Sequence, residues 1–595
     1  MRRKPAIAVW VAYSLALACA ALAFAHALSV SDVCDDAAIS LAYARDLARG
    51  AGLRLTPFSA RVEAYSDPLW VLWLFAGFAL HLARETGARF AALTGCALGG
   101  ASAFLLALVP SRAAGRSPTP LDVLPAALLA LNTTFALWVG SGLETGAFAC
   151  ALSALLYVLA GERAPARGAI TAGLLAGVLA VLRPEGILYV IAYGILRAGL
   201  EWNGDRNLRG RLSFWAAAFS PVAVWLAVRR AYYGDWLPNS YYAKVNWHLA
   251  GGGLYLAGWF ESNPVVYGCL ILFPAAVIAK RTRRAALLAL PAIACATFFI
   301  YWSGGDWMTG YRFTAHALPA VALLLGLIPA AIVECLPRKR RSAMIAGTAA
   351  VALAIAASIV AARELPRRRG SMDMKLAPQL WYGRFYAQTL HRLRLEYGRV
   401  ATFDIGAVAL ESGADVIDLA GLADARIAQE LRHGRKGQVA NDLFDVLKPD
   451  LINVHGPSAY LVSDPRLRRD YRVLRSDAGS TDFVRASLER GDDDRCPGGL
   501  AASLHQAMLD PAALAAQLER DHAAGQPALL AARFLCARAH LPASALPMDF
   551  AVRLGQALER EGLREPNPTR AEALLFAAVA LDPQAVAATL RLAGR

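Results

Sequence analysis

Charge is scarce in this sequence. Asp, Glu, Lys and Arg make up 18% of its 595 residues, against about a quarter in soluble domains. Apolar residues make up 57%, and the mean hydropathy is +0.39. That balance excludes a single soluble globule and points to a chain that crosses a membrane several times. The short motifs of soluble catalysis are missing too. There is no HExxH, no CxxC pair, no Gly-rich loop after a strand and no GxSxG, which sets soluble-nucleotide chemistry aside. Cysteine is sparse. Six of the nine lie in or beside apolar runs and read as packing residues. Cys496 and Cys536 fall in the polar C-terminal part. They would pair in an oxidising compartment, or stay as two packed thiols.

The net charge of +15 is not a nucleic-acid signal, because no basic face interleaves with aromatics. The basic residues sit in short clusters between apolar runs, such as Lys280–Arg284 and Arg338–Arg341. Such clusters mark cytoplasmic loops. Runs long enough to span lie near 6–28, 88–109, 120–139, 143–161, 168–182, 186–199, 212–229, 262–279, 285–302, 315–334 and 342–362. The first follows Arg2-Arg3-Lys4 and is long for a signal segment, so it reads as an uncleaved helix with its N-terminus inside. Pro68–Ala83 is marginal in length, and Trp70 and Trp73 suit the headgroup level. Placing it flat at the outer interface leaves about eleven spans and puts Arg112/Arg116, Arg163/Arg167, 201–211, Lys280–Arg284 and Arg338–Arg341 in the cytoplasm. The polar, aromatic segments 32–67, 140–145, 183–186, 232–244 and 303–313 then share the outer face.

The expected fold is therefore a polytopic α-helical membrane domain over 1–366, with a first outer loop at 29–87. A periplasmic α/β domain follows at 367–490, where short apolar runs at 400–404, 415–419 and 451–454 alternate with charged helical stretches. An Ala/Leu/Arg-rich helical extension closes the chain at 491–595.

Several outer residues carry chemistry. Asp35 and Asp36 stand together at the mouth of a membrane helix. A carboxylate beside a low-dielectric wall suits a general base; the plainer alternative is a helix cap. Arg61, Glu63 and Tyr65 make a set suited to sugar and phosphate, or Arg61 and Glu63 form an ordinary surface pair. Arg183-Pro184-Glu185-Gly186 interrupts apolar sequence, so its charges face a cavity or hold a broken helix. Glu144 follows Gly140-Ser141-Gly142 on the same side, where the helix dipole also favours it. Tyr242 and Lys244 close an aromatic segment of the kind found at interfaces. Asp306 and Arg312 lie in a Gly-rich turn, with Arg312 able to fork onto a phosphate. No metal-ligand cluster stands out, and a divalent metal near the aspartates is compatible with these residues but not required by them.

Taken in order, these segments resemble the family of bacterial GT-C membrane glycosyltransferases that includes the terminal β-(1→2)-arabinofuranosyltransferase of actinobacterial cell walls. The resemblance rests on Asp35-Asp36-Ala37-Ala38-Ile39-Ser40, Arg61-Val62-Glu63-Ala64-Tyr65-Ser66-Asp67-Pro68, Ser141-Gly142-Leu143-Glu144, Arg183-Pro184-Glu185-Gly186, Asn239-Ser240-Tyr241-Tyr242-Ala243-Lys244, Gly304-Gly305-Asp306-Trp307-Met308 and Asp418-Leu419-Ala420-Gly421-Leu422-Ala423-Asp424. It covers roughly residues 30–460. The chain departs from the family at Ala64-Tyr65-Ser66-Asp67, where relatives carry Gly-Tyr-Thr-Asn. It departs again at Thr309, where they carry Pro, and at Asp46, where they carry Asn.

The resemblance implies an inverting transferase of the bacterial inner membrane. It would move a hexose or pentose, arabinofuranose being one candidate, from a polyprenyl-phosphate donor to an envelope glycan, glycolipid or protein. Asp35 or Asp36 would be the base. Arg61, Glu63, Tyr65, Glu144, Arg183, Glu185, Tyr242, Lys244, Asp306 and Arg312 would bind donor or acceptor. Two other classes fit parts of the pattern: a secondary transporter with broken helices, and a non-catalytic envelope protein on the same scaffold.

Overall fold

A computed structural model describes residues 4–83, 87–161, 166–201, 208–244, 249–263, 271–306, 308, 310–335, 375–395, 397–477, 479–489, 511–540 and 546–582. The chain divides into two compact units. The first comprises Met1–Ala37, Ser66–Ala231 and Trp247–Leu376; the second comprises Ala38–Tyr65, Tyr232–Asn246 and Ala377–Arg595. Thus part of the first outer loop groups with the C-terminal half rather than with the helices that flank it in sequence.

The first unit is helical. In chain order its elements begin with α1 (Lys4–Val30), α2 (Asp35–Ala48, which runs on into the second unit), α3 (Pro68–Ala79) and α4 (Ala88–Ala113). They continue with α5 (Leu124–Leu131), α6 (Thr133–Val139), α7 (Thr145–Gly161), α8 (Ala166–Leu182), α9 (Gly186–Glu201) and α10 (Leu208–Tyr233). Helices Arg283–Ser303 and Leu318–Cys335 follow. Among the described residues, four helices are long and apolar enough to cross a membrane: α1, α4, α10 and Arg283–Ser303. The run 120–139 forms a fifth candidate span, bent by 65° between Leu131 and Thr133. At that bend Asn132 Oδ1 caps the Phe135 N–H at 2.8 Å, and His26 Nδ1 donates to the Ala130 carbonyl at 2.8 Å. The backbone groups freed by the bend therefore find partners, as a low-dielectric setting requires.

Helix α3 has 12 residues. At 1.5 Å per residue it is about 18 Å long, too short for a hydrocarbon core of about 30 Å. The described part of the expected span 262–279 holds only a short helix, Phe273–Ile278. A helix at Leu249–Glu261 was not expected from the hydropathy. The expected span 342–362 and the Arg338–Arg341 cluster lie outside the described residues.

Small residues let the helices approach. A Cβ on Gly146 of α7 would sit 2.4 Å from the Gly95 carbonyl of α4, and further along the same seam the Ser102 and Ser153 hydroxyls meet at 2.8 Å. Close backbone contact of this kind is how helices associate where lipid supplies no hydrophobic drive. Arg112, Lys280, Arg281 and Arg284 collect at one end of this bundle. Arg112 Nε donates to Tyr157 O at 2.9 Å, Arg284 Nη2 donates to Leu159 O at 2.9 Å, and the Lys280 and Arg281 N–H groups donate to Glu334. The C-termini of α4, α7 and Leu318–Cys335 thus meet the N-terminus of Arg283–Ser303. Residues 140–145 and 303–312 lie at the opposite ends of α7 and Arg283–Ser303, and Arg183 joins them there through Glu144.

The second unit contains a five-stranded sheet of β1 (Arg399–Thr402), β2 (Asp415–Asp418), β3 (Leu451–His455), β4 (Tyr471–Asp477) and β5 (Ser480–Arg485), in the order β2-β1-β3-β5-β4. Strands β1, β2 and β3 are parallel, and β5 and β4 add an antiparallel edge. The three parallel strands are buried on both faces, hence their short apolar runs. Among the described residues, the extension holds four helices, Pro511–Ala523, Pro527–His540, Met548–Arg564 and Pro568–Leu581. Their Leu530, Phe534, Leu558 and Leu575 share one apolar core with Phe58 of the loop and Val446. Cys536 in this core is disulfide-bonded; Cys496 lies outside the described residues.

Candidate active site

In the first unit, a glycine turn fixes the start of the outer segment. Gly142 has φ +83°, and a Cβ there would lie 2.9 Å from Val33 Cγ1. Its carbonyl accepts from Trp70 Nε1 at 2.9 Å. The Cys34 N–H donates to Ser141 O at 2.9 Å. So pinned, the chain turns directly into α2, whose first two residues are Asp35 and Asp36. Carboxylates in a helix's first turn are favoured by its dipole. Asp35 is buried, whereas the Asp36 side chain is 31% exposed.

A second glycine turn presents Arg312. Gly310 and Tyr311 both take left-handed backbone, with φ +86° and +55°. Trp138 Nε1 donates to the Gly310 carbonyl at 2.8 Å, and the Phe313 N–H donates to Tyr255 Oη at 3.2 Å. Arg312 Nη1 then donates to Asp36 Oδ2 at 2.8 Å, and its Nε lies 2.7 Å from Asp306 Oδ2. A cap alone does not describe Asp36, since its carboxylate faces an arginine 276 positions away.

The break between α8 and α9 supplies a parallel arrangement. Pro184 has no N–H to give, and Gly186 allows the turn because a Cβ there would meet the Leu179 carbonyl at 2.1 Å. Arg183 Nη1 donates to Glu144, and Arg183 Nε to Glu185. All three side chains are buried. The Phe313 ring links the two groups, with Arg183 Cζ 5.6 Å and Arg312 Cζ 5.3 Å from its centroid, within cation–π range.

Burial opposes charge on both arginines. The carboxylates outweigh it, Glu185 and Glu144 around Arg183, Asp306 and Asp36 around Arg312, and hold both guanidinium groups above their usual pKa. Among the described residues Arg183 hydrogen-bonds through Nε and Nη1, and Arg312 through Nη1. Burial and then Asp36 push the neighbouring Cys34 thiol up, which makes it a poor nucleophile. Among the described residues no three His, Cys, Asp or Glu side chains group as metal ligands.

The remaining expected residues belong to the second unit. Glu63 is buried, and its carbonyl accepts from the Asn239 N–H at 2.9 Å. Arg61 does not pair with it. Arg61 Nη2 meets Asp549 Oδ2 at 2.7 Å, and its guanidinium lies over the Tyr232 ring at 4.9 Å. The surface-pair reading therefore fails because the two side chains part, one inward and one outward. Tyr65 and Tyr233 hydroxyls are 3.0 Å apart. Tyr242 Oη donates to Asp235 Oδ1 at 3.0 Å, with Arg432 over its ring at 5.9 Å. Lys244 is exposed.

Sequence reasoning missed Trp138, Tyr255 and His316. His316 is buried, packs edge-on to Phe148 at 5.0 Å, and its Nε2 has no hydrogen-bond partner among the described residues. A polar ring inside an apolar run next to the Arg312 motif was the available signal.

The fold has solved counterparts. Two structures of ArnT from Cupriavidus metallidurans match. The one bound to undecaprenyl phosphate has a TM-score of 0.51 at 13% identity, and the apo form has a TM-score of 0.50 at 15% identity. Each match covers 80% of this chain and 98% of that one. The chain thus has a GT-C-like polytopic membrane fold with a large extramembrane α/β region. Residues 379–495 match a family described as a domain of unknown function, DUF8728. No curated protein matches by sequence.

Proposed function

We propose that this chain is an inverting membrane glycosyltransferase that moves a sugar from a polyprenyl-phosphate donor to an acceptor hydroxyl on the outer face. The observation that carries the proposal is the Asp36–Arg312 pair: a partly exposed carboxylate held in place by a buried arginine. Asp36 takes the proton of the acceptor hydroxyl as its oxygen attacks the anomeric carbon. The bond from that carbon to the phosphate oxygen breaks, and the phosphate leaves with the electron pair. Arg312 and Arg183, on either side of Phe313, meet the developing charge. A phosphate leaves without protonation at neutral pH, so a single base serves. Asp35, more deeply buried, positions the helix start.

The lipid-phosphate donor is supported by the shared fold with an ArnT structure that holds undecaprenyl phosphate. The outer-face assignment is supported by Arg112, Lys280, Arg281 and Arg284 at the opposite end of the bundle, and by the disulfide at Cys536, which an oxidising compartment favours. The sugar is a hexose or pentose, and the acceptor an envelope glycan, glycolipid or protein. The test is purified protein incubated with a panel of radiolabelled polyprenyl-phosphate sugars and an envelope extract. Transfer from at least one donor is expected; hydrolysis or transfer from none, by folded protein, removes the proposal.

A further inference from the structure

Within the second unit lies a cavity of about 860 Å³, inside the size range of small-ligand sites. Three segments far apart in sequence wall it: the first-loop stretch around Arg49–Phe58, residues 409–414, and the start of helix Met548–Arg564. Nothing in the proposed transfer chemistry uses it.

Its lining has two kinds of group. Arg45, Arg49 and Arg54 bring positive charge, and Glu411 and Asp549 bring negative charge. Both carboxylates are already engaged, Asp549 by Arg54 and Arg61 and Glu411 by Arg384. Arg45 is also occupied, by Asp46 and the carbonyls of Leu410 and Ala409. Arg49 makes no ion pair among the described residues. Arg49 is solvent-exposed where it lines the cavity, and partial burial and then Arg45 push its guanidinium below the usual value. Arg54 is 7% exposed, and its Nε is buried with no hydrogen-bond partner among the described residues. Phe58, Tyr397 and Phe550 supply flat walls, the first two with ring centroids 5.6 Å apart.

We infer that this cavity binds an acidic saccharide. The arginines take its carboxylate or phosphate, the natural partner of a guanidinium fork, and the aromatic faces take the sugar rings. The extension helices thereby acquire a role, as one wall of a saccharide site.

The test is calorimetric titration of the full-length protein in detergent, with no donor lipid present, so that its outcome is independent of the transferase proposal. Three probes are used: a galacturonate trisaccharide, a neutral galactose trisaccharide and inorganic phosphate. The galacturonate probe is expected to bind, and the neutral one at least roughly tenfold more weakly, the loss expected for one charged hydrogen bond. Arg49→Ala and Phe550→Ala, each shown by thermal melting to be folded, are each expected to weaken the galacturonate probe by a similar factor. Equal binding of the neutral and acidic probes overturns the inference. So does unchanged binding by both variants. Inorganic phosphate that binds as tightly as the trisaccharide and displaces it also overturns it, because the cavity would then be an anion site without sugar recognition.

Discussion

Arg312 and Arg485 are alike in chemistry and nearly alike in burial, with side chains 8% and 4% exposed, yet their partners differ. Arg485 in the α/β unit meets Asp450 at 2.7 Å. Asp450 is fully enclosed, and its second oxygen accepts the Arg399 N–H at 2.7 Å. Both oxygens point into protein, so the pair can only hold β1, β3 and β5 in register. Arg312 in the membrane unit meets one enclosed carboxylate, Asp306, and one that remains partly open, Asp36. The contrast gives a physical criterion. A buried ion pair whose carboxylate is sealed by backbone donors specifies structure, while one whose carboxylate keeps an open side can act on something outside the protein.

The strongest test of that contrast is Asp36→Asn. It preserves size and hydrogen bonding but not basicity. Transfer is expected to fall by roughly 10²–10⁴-fold in a variant that still folds, because Asp306 remains as the enclosed counter-charge of Arg312. Full activity in a well-folded variant would return Asp36 to the structural class. Asp450→Asn should behave oppositely. Leaving Arg485 buried without its counter-charge is expected to cost about 3–5 kcal/mol of stability, read by denaturant titration, with activity per folded molecule retained.

A third, subtler test uses Asp418 at the end of β2. Its oxygens accept the N–H groups of Ala420, Gly421 and Ala423 at 2.8, 3.2 and 2.6 Å. Burial nevertheless pushes its pKa up to about 7 from 3.8. Between those values the folded state holds a proton that the unfolded chain releases. This group's contribution to stability is therefore fully present below about pH 4 and lost as pH rises through 7. Asp418→Asn should flatten that slope in melts taken at pH 5 and pH 8, by an amount on the order of a few kcal/mol. A slope unchanged by the substitution would show that Asp418 is ionised throughout. The smallest effect is expected from Arg61→Ala. Its pair with Asp549 is half in solvent, so stability should change by less than about 1 kcal/mol in a thermal melt.

Much of the architecture was legible from hydropathy alone. The long helices, the short helix Pro68–Ala79, the parallel strands and the helical extension all carry their signal locally. The hairpin of β4 and β5 did not show, because Arg472, Arg475 and Asp477 give its exposed face the look of a surface loop. Nor could the sequence show which charges meet. Asp36 finds Arg312, Glu144 finds Arg183 and Arg61 finds Asp549 across gaps that no periodicity spans. The same limit hid the grouping of residues 38–65 with the C-terminal half. That grouping depends on Arg45 reaching the Leu410 and Ala409 carbonyls and on Phe58 entering the helical core, both long-range events.

The bend between α5 and α6 also bears on how the protein is assembled. The Ala130 carbonyl that it exposes is satisfied by His26, which is made 104 residues earlier. Because the donor precedes the acceptor by 104 positions, this hydrogen bond can form only after the fifth candidate span has been synthesised. Loss of the first helix would leave the Ala130 carbonyl without its His26 donor. Fusions that replace this segment with a foreign leader should accumulate as incompletely folded chains even when the rest of the sequence is intact.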